Sequence, residues 1–355
     1  MSGCLSEREK IVLYAITRFQ NCNNRELSER LGMNYSTFTT IKERLRKNGY
    51  FRTIKVPFLQ NLGCEMLAVI YTDFNPAVPI EVRVEKTRKT IAVFEELFLS
   101  IGETSTGFSL SFAKDYTSVA KINDIRIRVF VEMGILESDY PSEVIFPFDV
   151  SKINRFLDMS PLLKHDFGIE LDERSKKNDS QLFEKKDPVK LSNTEKLVFY
   201  ALVKYPELNN IEIGKKLNVS RHTVSNIQNK LEKNGLIRQI SMPNLKKIGY
   251  EILSFCHYKF NPQKPITQQI FETEIIQPST IFAASRNFEC VTLSVCKNYD
   301  EFKSESARQT KYLKENNYLV DLPVIRLYRI NKLIVIKDYV FAPFVKKLLN
   351  IETDV

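Results

Sequence analysis

Tryptophan is absent, histidine occurs three times, and glycine and proline supply only 11 and 14 of 355 residues. That scarcity of turn residues excludes collagen-like and low-complexity chains. A 43 % hydrophobic, 27 % charged composition excludes a largely disordered one. His165, His222 and His257 lie far apart, and no HExxH, paired Cys/His spacing, GxGxxG, Walker loop or GxSxG occurs. Neither a metal nor another cofactor is expected, and the chain reads as a non-enzyme. The six cysteines (Cys4, Cys22, Cys64, Cys256, Cys290, Cys296) form no CxxC, which points to reduced, buried thiols. No apolar run approaches the ~18 to 20 residues of a membrane span, and Glu7, Arg8, Glu9 and Lys10 follow close on the start. A cytoplasmic protein without membrane contact is expected, and its length implies two or more domains.

What is present is written twice. Ser6 to Pro76 lies on Ser192 to Pro262 at a constant offset without a gap, and about a third of the paired positions are identical. Glu9, Lys10 and Tyr14 match Glu195, Lys196 and Tyr200; Lys47, Asn48 and Gly49 match Lys233, Asn234 and Gly235; Phe74, Asn75 and Pro76 match Phe260, Asn261 and Pro262. After three residues are dropped, Ser109, Leu110, Ser111, Lys114 and Tyr116 face Thr292, Leu293, Ser294, Lys297 and Tyr299. Between the copies, ELDERSKKNDSQLFEKKDPVK has almost no apolar periodicity and reads as a solvated connector. The expected boundaries are therefore 1–60, 61–169, a linker at 170–190, 191–246 and 247–355. Two homologous halves imply a pseudo-twofold arrangement, a dimer fused into one chain.

Each copy opens with three helical patterns. In the first, Ser6 and Glu9 form a capping box, Asn24 precedes a short second helix ending at Gly32, and Asn34 starts a third with the inward stripe Phe38, Ile41 and Leu45. In the second copy Ser192, Asn210 and Ser220 are the caps, and the stripe is Val224, Ile227 and Leu231. Tyr50 to Pro57 reads as a short strand pair. Three short helices with a tight turn and a ribbon describe a winged helix-turn-helix, whose third helix fits the DNA major groove; a plain three-helix packing module is the alternative. Beyond it, strands are expected at Met66–Phe74, Leu97–Gly102, Phe108–Lys114 and Ser142–Phe148, with helices at Val78–Phe94 and Ser118–Met133. The second copy gives strands at Ile252–Phe260, Thr280–Ser285, Val291–Lys297 and Leu322–Ile330, with helices at Thr267–Ile275 and Tyr299–Asn316. The order βαββαβ predicts an α+β chain with two ferredoxin-like domains beside the two winged helices. Ile153–Leu157 and Leu333–Ile336 are expected to add a strand to each.

Charge favours nucleic acid. Residues 6–56 hold 11 Lys and Arg against 5 Asp and Glu, and residues 192–242 hold 8 against 4, so the whole +9 excess sits in the two candidate reading heads.

The sequence NNIEIGKKLNVSRHTVSNIQNKLEKNGLIRQISMPNLKKIGYEIL (Asn209 to Leu253) and its more diverged counterpart NNRELSERLGMNYSTFTTIKERLRKNGYFRTIKVPFLQNLGCEML resemble the leucine-responsive regulator (Lrp/AsnC) family, here as an archaeal-like tandem duplication. The resemblance implies a cytoplasmic transcription factor with an ACT-like effector domain that dimerises and often binds an amino acid, with double-stranded DNA, an amino-acid effector, the transcription machinery and a second copy as partners. The family's effector loop has a glycine two residues before an aromatic and three before an aspartate. Here Arg286, Asn287, Phe288, Glu289 lacks the glycine, and Gly102, Glu103, Thr104, Ser105 lacks the aromatic and the aspartate. Gly102, Glu103, Arg286 and Glu289 are the effector-loop candidates.

A third helix with an inward apolar stripe presents the intervening positions to the groove. Tyr35, Ser36, Thr39 and Thr40, with Arg221, His222, Ser225 and Asn226, are the candidate base contacts. Arg44, Lys47, Arg52 and Lys55, with Lys216, Lys230, Lys233 and Arg238, are the candidate phosphate contacts. The second helix, with Arg221 and His222, is expected to supply more of the base discrimination. Three rivals stand beside this reading: an architectural DNA binder without sequence preference, a winged-helix adaptor to transcription proteins, and an enzyme similar to the siroheme decarboxylases. The last look like paired Lrp/AsnC-type halves and need histidines and arginines converging on a tetrapyrrole; here His257 stands opposite Tyr71 of the other copy.

Overall fold

The computed structural model describes residues 5–20, 22–136, 140–171, 183 and 189–353. Cys4 and most of the expected linker, residues 172–182 and 184–188, lie outside the described residues.

The first copy begins with helices α1 (Glu7–Arg18), α2 (Asn24–Arg30) and α3 (Tyr35–Lys47) and strand β1 (Phe51–Pro57). It continues through β2 (Met66–Asp73), α4 (Ile80–Thr90), β3 (Leu97–Gly102), β4 (Thr106–Ala113), α5 (Tyr116–Glu132) and β5 (Ser142–Pro147), then β6 (Lys152–Phe156) and α6 (Ser160–Phe167). The second copy repeats the opening as α7 (Asn193–Lys204), α8 (Asn210–Leu217), α9 (Arg221–Lys233) and β7 (Ile237–Pro243). Then come β8 (Ile252–Lys259), the single turn α10 (Gln268–Ile270), β9 (Thr280–Arg286), β10 (Glu289–Cys296), α11 (Tyr299–Glu315) and β11 (Val324–Arg329), and finally β12 (Ile334–Asp338) and α12 (Ala342–Leu348). The chain is α+β, with antiparallel sheets.

Local chemistry explains the helix starts. Capping boxes join Ser6 with Glu9, Asn23 with Glu26, Ser192 with Glu195 and Asn209 with Glu212. The second helix of each copy is thus capped by the first asparagine of its pair, not by Asn24 or Asn210 as expected. Only the first one stands three residues before a glutamate that can close the box. Asn34 occupies the cap position of α3 without a side-chain cap bond, whereas Ser220 accepts from the Thr223 amide. The helix expected over Thr267–Ile275 is one α turn that runs on as a π-helix over Phe271–Ile275.

Two compact units emerge, and neither coincides with a copy. One comprises Met1–Thr53, Ser151–Leu182 and Gln239–Asn331; the other comprises Ile54–Val150, Phe183–Arg238 and Lys332–Val355. In the first unit α1, α2 and α3 bury Val12, Leu13, Tyr14, Leu27, Phe38 and Leu45 against Leu163 of α6. Its sheet has the order β11-β8-β10-β9-β6. In the second unit α12 packs on α7, and the sheet order is β12-β3-β4-β2-β5. Four strands of each sheet follow the 4-1-3-2 order of a ferredoxin-like βαββαβ domain, as expected. The fifth strand comes from the other copy: β6 pairs with β9 through Lys152 and Ser285, and β12 pairs with β3 through Val335 and Ile101. The two extra strands expected from sequence exist, and they are exchanged.

The expected wing is also corrected. Phe51–Pro57 is one strand, not a strand pair, and its sheet partner is β7 of the other copy. In the first unit the Asn244 amide donates to the Tyr50 carbonyl; in the second, the Phe58 amide donates to Leu236. Cys64, Cys256, Cys290 and Cys296 are buried free thiols and Cys22 is half-buried and free. Among the described residues no helix is long and apolar enough to cross a membrane.

Candidate nucleic-acid interface

The turn before each third helix is set by backbone conformation. Gly32 adopts φ +60° and its counterpart Asn218 adopts φ +53°, left-handed conformations that glycine and asparagine tolerate best. In α8 a Cβ on Gly214 would stand 2.7 Å from the Val219 carbonyl oxygen, so only glycine lets the helix approach the turn this closely. The third helices then anchor on one face: Phe38, Ile41 and Leu45 are buried in α3, and Val224 and Leu231 in α9, with Ile227 half-buried.

The opposite face carries the expected base-contact residues. In α9, Arg221, His222 and Asn226 are exposed, and among the described residues none of their side chains makes a hydrogen bond or ion pair; Ser225 is half-buried. A concavity between α8 and α9 is lined by Lys215, Asn218, Ser220 and Arg221. In α3, Tyr35 is 55 % exposed, Ser36 and Thr40 are exposed and Thr39 is half-buried. Thr39 donates to the Tyr35 carbonyl at 2.9 Å and Thr40 to the Ser36 carbonyl at 2.8 Å. With their protons directed into the helix, these hydroxyls present lone pairs to the surface. The two helices thus offer different chemistry: an acceptor and aromatic surface on α3, a cationic and amide surface on α9.

The candidate phosphate contacts divide. Lys47, Arg52 and Lys233 are exposed, Arg238 is half-buried, and Lys216 is exposed with its ammonium 4.4 Å from the Tyr205 ring centroid. Arg44 bridges to Glu9 at 3.0 Å and Lys230 to Glu195 at 2.5 Å. These are the same pair in the two copies and pin the first helix to the third. The capping bonds from Ser6, with Arg44 adding to them, hold the Glu9 carboxyl below its ordinary value; the Lys230 hydrogen bond does so for Glu195. Lys55 does not fit a surface role. It is 5 % exposed, and burial pushes its ammonium down to about 8 against the attraction of Glu232.

The effector-loop candidates are placed in tight β-hairpins. Gly102 ends β3, and a Cβ there would lie 2.7 Å from the Thr106 carbonyl oxygen, so the turn itself requires this glycine. Glu103 closes the same turn, its amide donating to Thr106. Arg286 donates to Glu289 at 2.9 Å, and Glu289 also pairs with the buried His257 at 2.9 Å. Burial raises the Glu289 carboxyl, but hydrogen bonds from His257 and Arg286 outweigh it and hold it low. His165 lies against Asp166 at 2.8 Å. Among the described residues no cluster of His, Cys, Asp and Glu has the makings of a metal site. Motif reading missed Arg83 and Arg126, each 4 % exposed. The available signal was an arginine on an apolar stripe, since Val119, Ile122, Arg126 and Phe130 form the buried face of α5.

A family described as sugar-specific transcriptional regulator TrmB matches residues 188–259, which take in α7, α8, α9, β7 and β8. Among solved structures, the siroheme decarboxylase NirDL in co-complex with an iron-uroporphyrin III analogue is similar at TM-score 0.51 and 10 % identity, over 97 % of this chain and 99 % of that one. A second structure of NirDL gives TM-score 0.50 and 9 % identity over 96 % and 98 %. At such identity the likeness is one of fold. The transcriptional regulator NMB0573 of Neisseria meningitidis, in complex with L-Met, gives TM-score 0.32 and 15 % identity over 39 % of this chain and 90 % of that one. No curated protein sequence matches the chain.

Proposed function

We propose that the chain is a sequence-specific DNA-binding transcription regulator of Lrp/AsnC type, a fused pair reading two half-sites of double-stranded DNA through α3 and α9. The observation that carries this reading is the row Arg221, His222 and Asn226 on α9, exposed and without protein partners among the described residues, on a helix whose other face is buried. Arg221 suits the paired acceptors of guanine and Asn226 the donor and acceptor of adenine, while Tyr35 or Thr39 suits a thymine methyl. The excess of basic residues in the two reading heads supports it through phosphate attraction, with Lys47, Arg52, Lys216 and Lys233 as surface cations. The match of residues 188–259 to a transcriptional regulator family supports the same assignment for the second head.

Binding-site selection from random DNA, run on the intact chain and on two variants, tests the reading. Arg221→Ala is expected to relax preference at one base position by about 1–3 kcal/mol. Lys233→Ala is expected to weaken all sequences alike and to lower the salt slope by about 1. Interchangeable profiles for the two variants would sink it, and so would affinity that random competitor DNA removes in full, the mark of an architectural binder. A Soret band that shifts on mixing with iron-uroporphyrin and stays with the chain through gel filtration, with no DNA binding at low salt, would favour the enzyme reading instead.

A further inference from the structure

The two ferredoxin-like sheets differ in the space beneath their helices. In the second unit a half-open cavity with about 50 Å³ of internal space lies between strands β2, β3 and β4, helices α4 and α5, and the exchanged strand β12. Its walls are mostly apolar, among them Ile70, Phe108, Phe130 and Ile336. The duplication explains the opening. Thr72, Gly107 and Arg126 stand where the second copy has Tyr258, Cys290 and Gln309, in the same strand register, since Thr72 pairs with Gly107 as Tyr258 pairs with Cys290. In the second copy the Tyr258 hydroxyl donates to Gln309 at 2.6 Å, and Gln309 donates to the Glu274 carbonyl at 2.6 Å, so a ring and an amide narrow the space there to about 20 Å³. In the first copy the ring is gone and a cation has replaced the amide.

Arg126 is 4 % exposed and lines the cavity, and among the described residues its guanidinium makes no hydrogen bond or ion pair. Glu143 attracts it, but Glu143 accepts from Asn123 at 3.0 Å. Burial pushes the guanidinium down to about 10, which leaves it charged at neutral pH. A buried cation without hydrogen-bonded partners is costly, and an anion entering the cavity removes that cost. Arg83 plays another part: it donates to the carbonyls of Glu103 and Thr104 and lies 4.3 Å from the Phe74 ring centroid, so it holds the β3–β4 turn as a wall.

We infer that this cavity binds a small monocarboxylate with an apolar body, its carboxylate on Arg126 and its hydrocarbon against the Ile70, Phe108, Phe130 and Ile336 wall, as the effector of the regulator proposed above. An apolar pocket with one guanidinium free to fork onto two oxygens matches one carboxylate better than a phosphate, which needs more donors.

The inference deepens the regulator reading and is tested apart from it, on the full chain without DNA. Calorimetric titration with 3-methylbutanoate, 4-methylpentanoate and benzoate is compared with the corresponding amides and with inorganic phosphate. The acids are expected to bind at least about tenfold more tightly than their amides. Arg126→Gln, which installs the residue of the second copy, should abolish that preference, and Arg126→Lys should keep part of it. Thr72→Tyr, which restores the second copy's filler, should exclude all the acids. No acid outbinding its amide, an unchanged ratio in Arg126→Gln, or phosphate binding as tightly as the acids would each overturn the inference. Carboxylate binding by a chain that binds no DNA would leave the site standing and remove the regulator.

Discussion

Lys55 sits in a basic stretch of sequence and ends as a buried cation, with Ser241 buried at the equivalent place in the second copy. Its folded value of about 8 lies below the ~10.4 of an unfolded lysine. Between those two values the unfolded chain holds a proton that the folded chain has released, so stability rises with pH across that window. Below about pH 8 the folded protein bears the full cost of the buried charge, up to about 3 kcal/mol. Lys55→Met is expected to raise stability at pH 7 by about 1–3 kcal/mol and to flatten the rise between pH 8 and 10. Urea unfolding at pH 7 and pH 9.5 measures both effects; a variant less stable than the parent at pH 7 would contradict the assignment. Arg126 illustrates the same lesson in another setting, because a charged residue type reveals nothing about its burial until its stripe is placed.

Strand exchange governs the elements. β12 covers the β3 edge, with Ile334 opposite Gly102 and Val335 opposite Ile101, and the Val340 amide donates to the Phe98 carbonyl just beyond it. Lys337 donates to the Phe94 carbonyl at 2.5 Å, and Lys347 bridges to Glu95 and Glu96 at 2.9 Å. An edge strand stripped of its neighbour exposes a row of unpaired backbone groups. Ending the chain after Asn331 is therefore expected to speed amide hydrogen exchange across Leu97–Gly102 and in α7, on which α12 packs, while Ile252–Lys259 keeps its protection. Equal loss in both sheets would show that the C-terminal segment does not belong to one unit.

For the whole molecule, the exchange means that each compact unit is assembled from both copies. The helices α1–α3 and β6 share a unit with the second copy's sheet; α7–α9 and β12 share one with the first copy's sheet. Cutting the chain between the copies should not part them. With a protease site inserted between residues 172 and 182 and then cleaved, the two fragments are expected to co-elute in size-exclusion chromatography and to separate only in denaturant. Fragments that part under native conditions would refute the exchanged architecture.

The amino-acid sequence by itself determined the internal repeat of residues, the capped helices, the order βαββαβ and the concentration of positive charge in two segments. These are carried by local periodicity, capping side chains and residue counts, all readable within one segment. The boxes at Ser6 and Ser192 and the stripes of α3 and α9 stood where that reading put them. Only the tertiary structure decided which strand lies beside which, because ladder hydrogen bonds are made by backbone groups that every residue carries. It also decided that Lys55 is buried, that Arg44 and Lys230 pin helices, and that Thr72, Gly107 and Arg126 converge on one cavity. Those outcomes depend on packing between segments distant in the chain, where side-chain volume and desolvation, not local pattern, set the result.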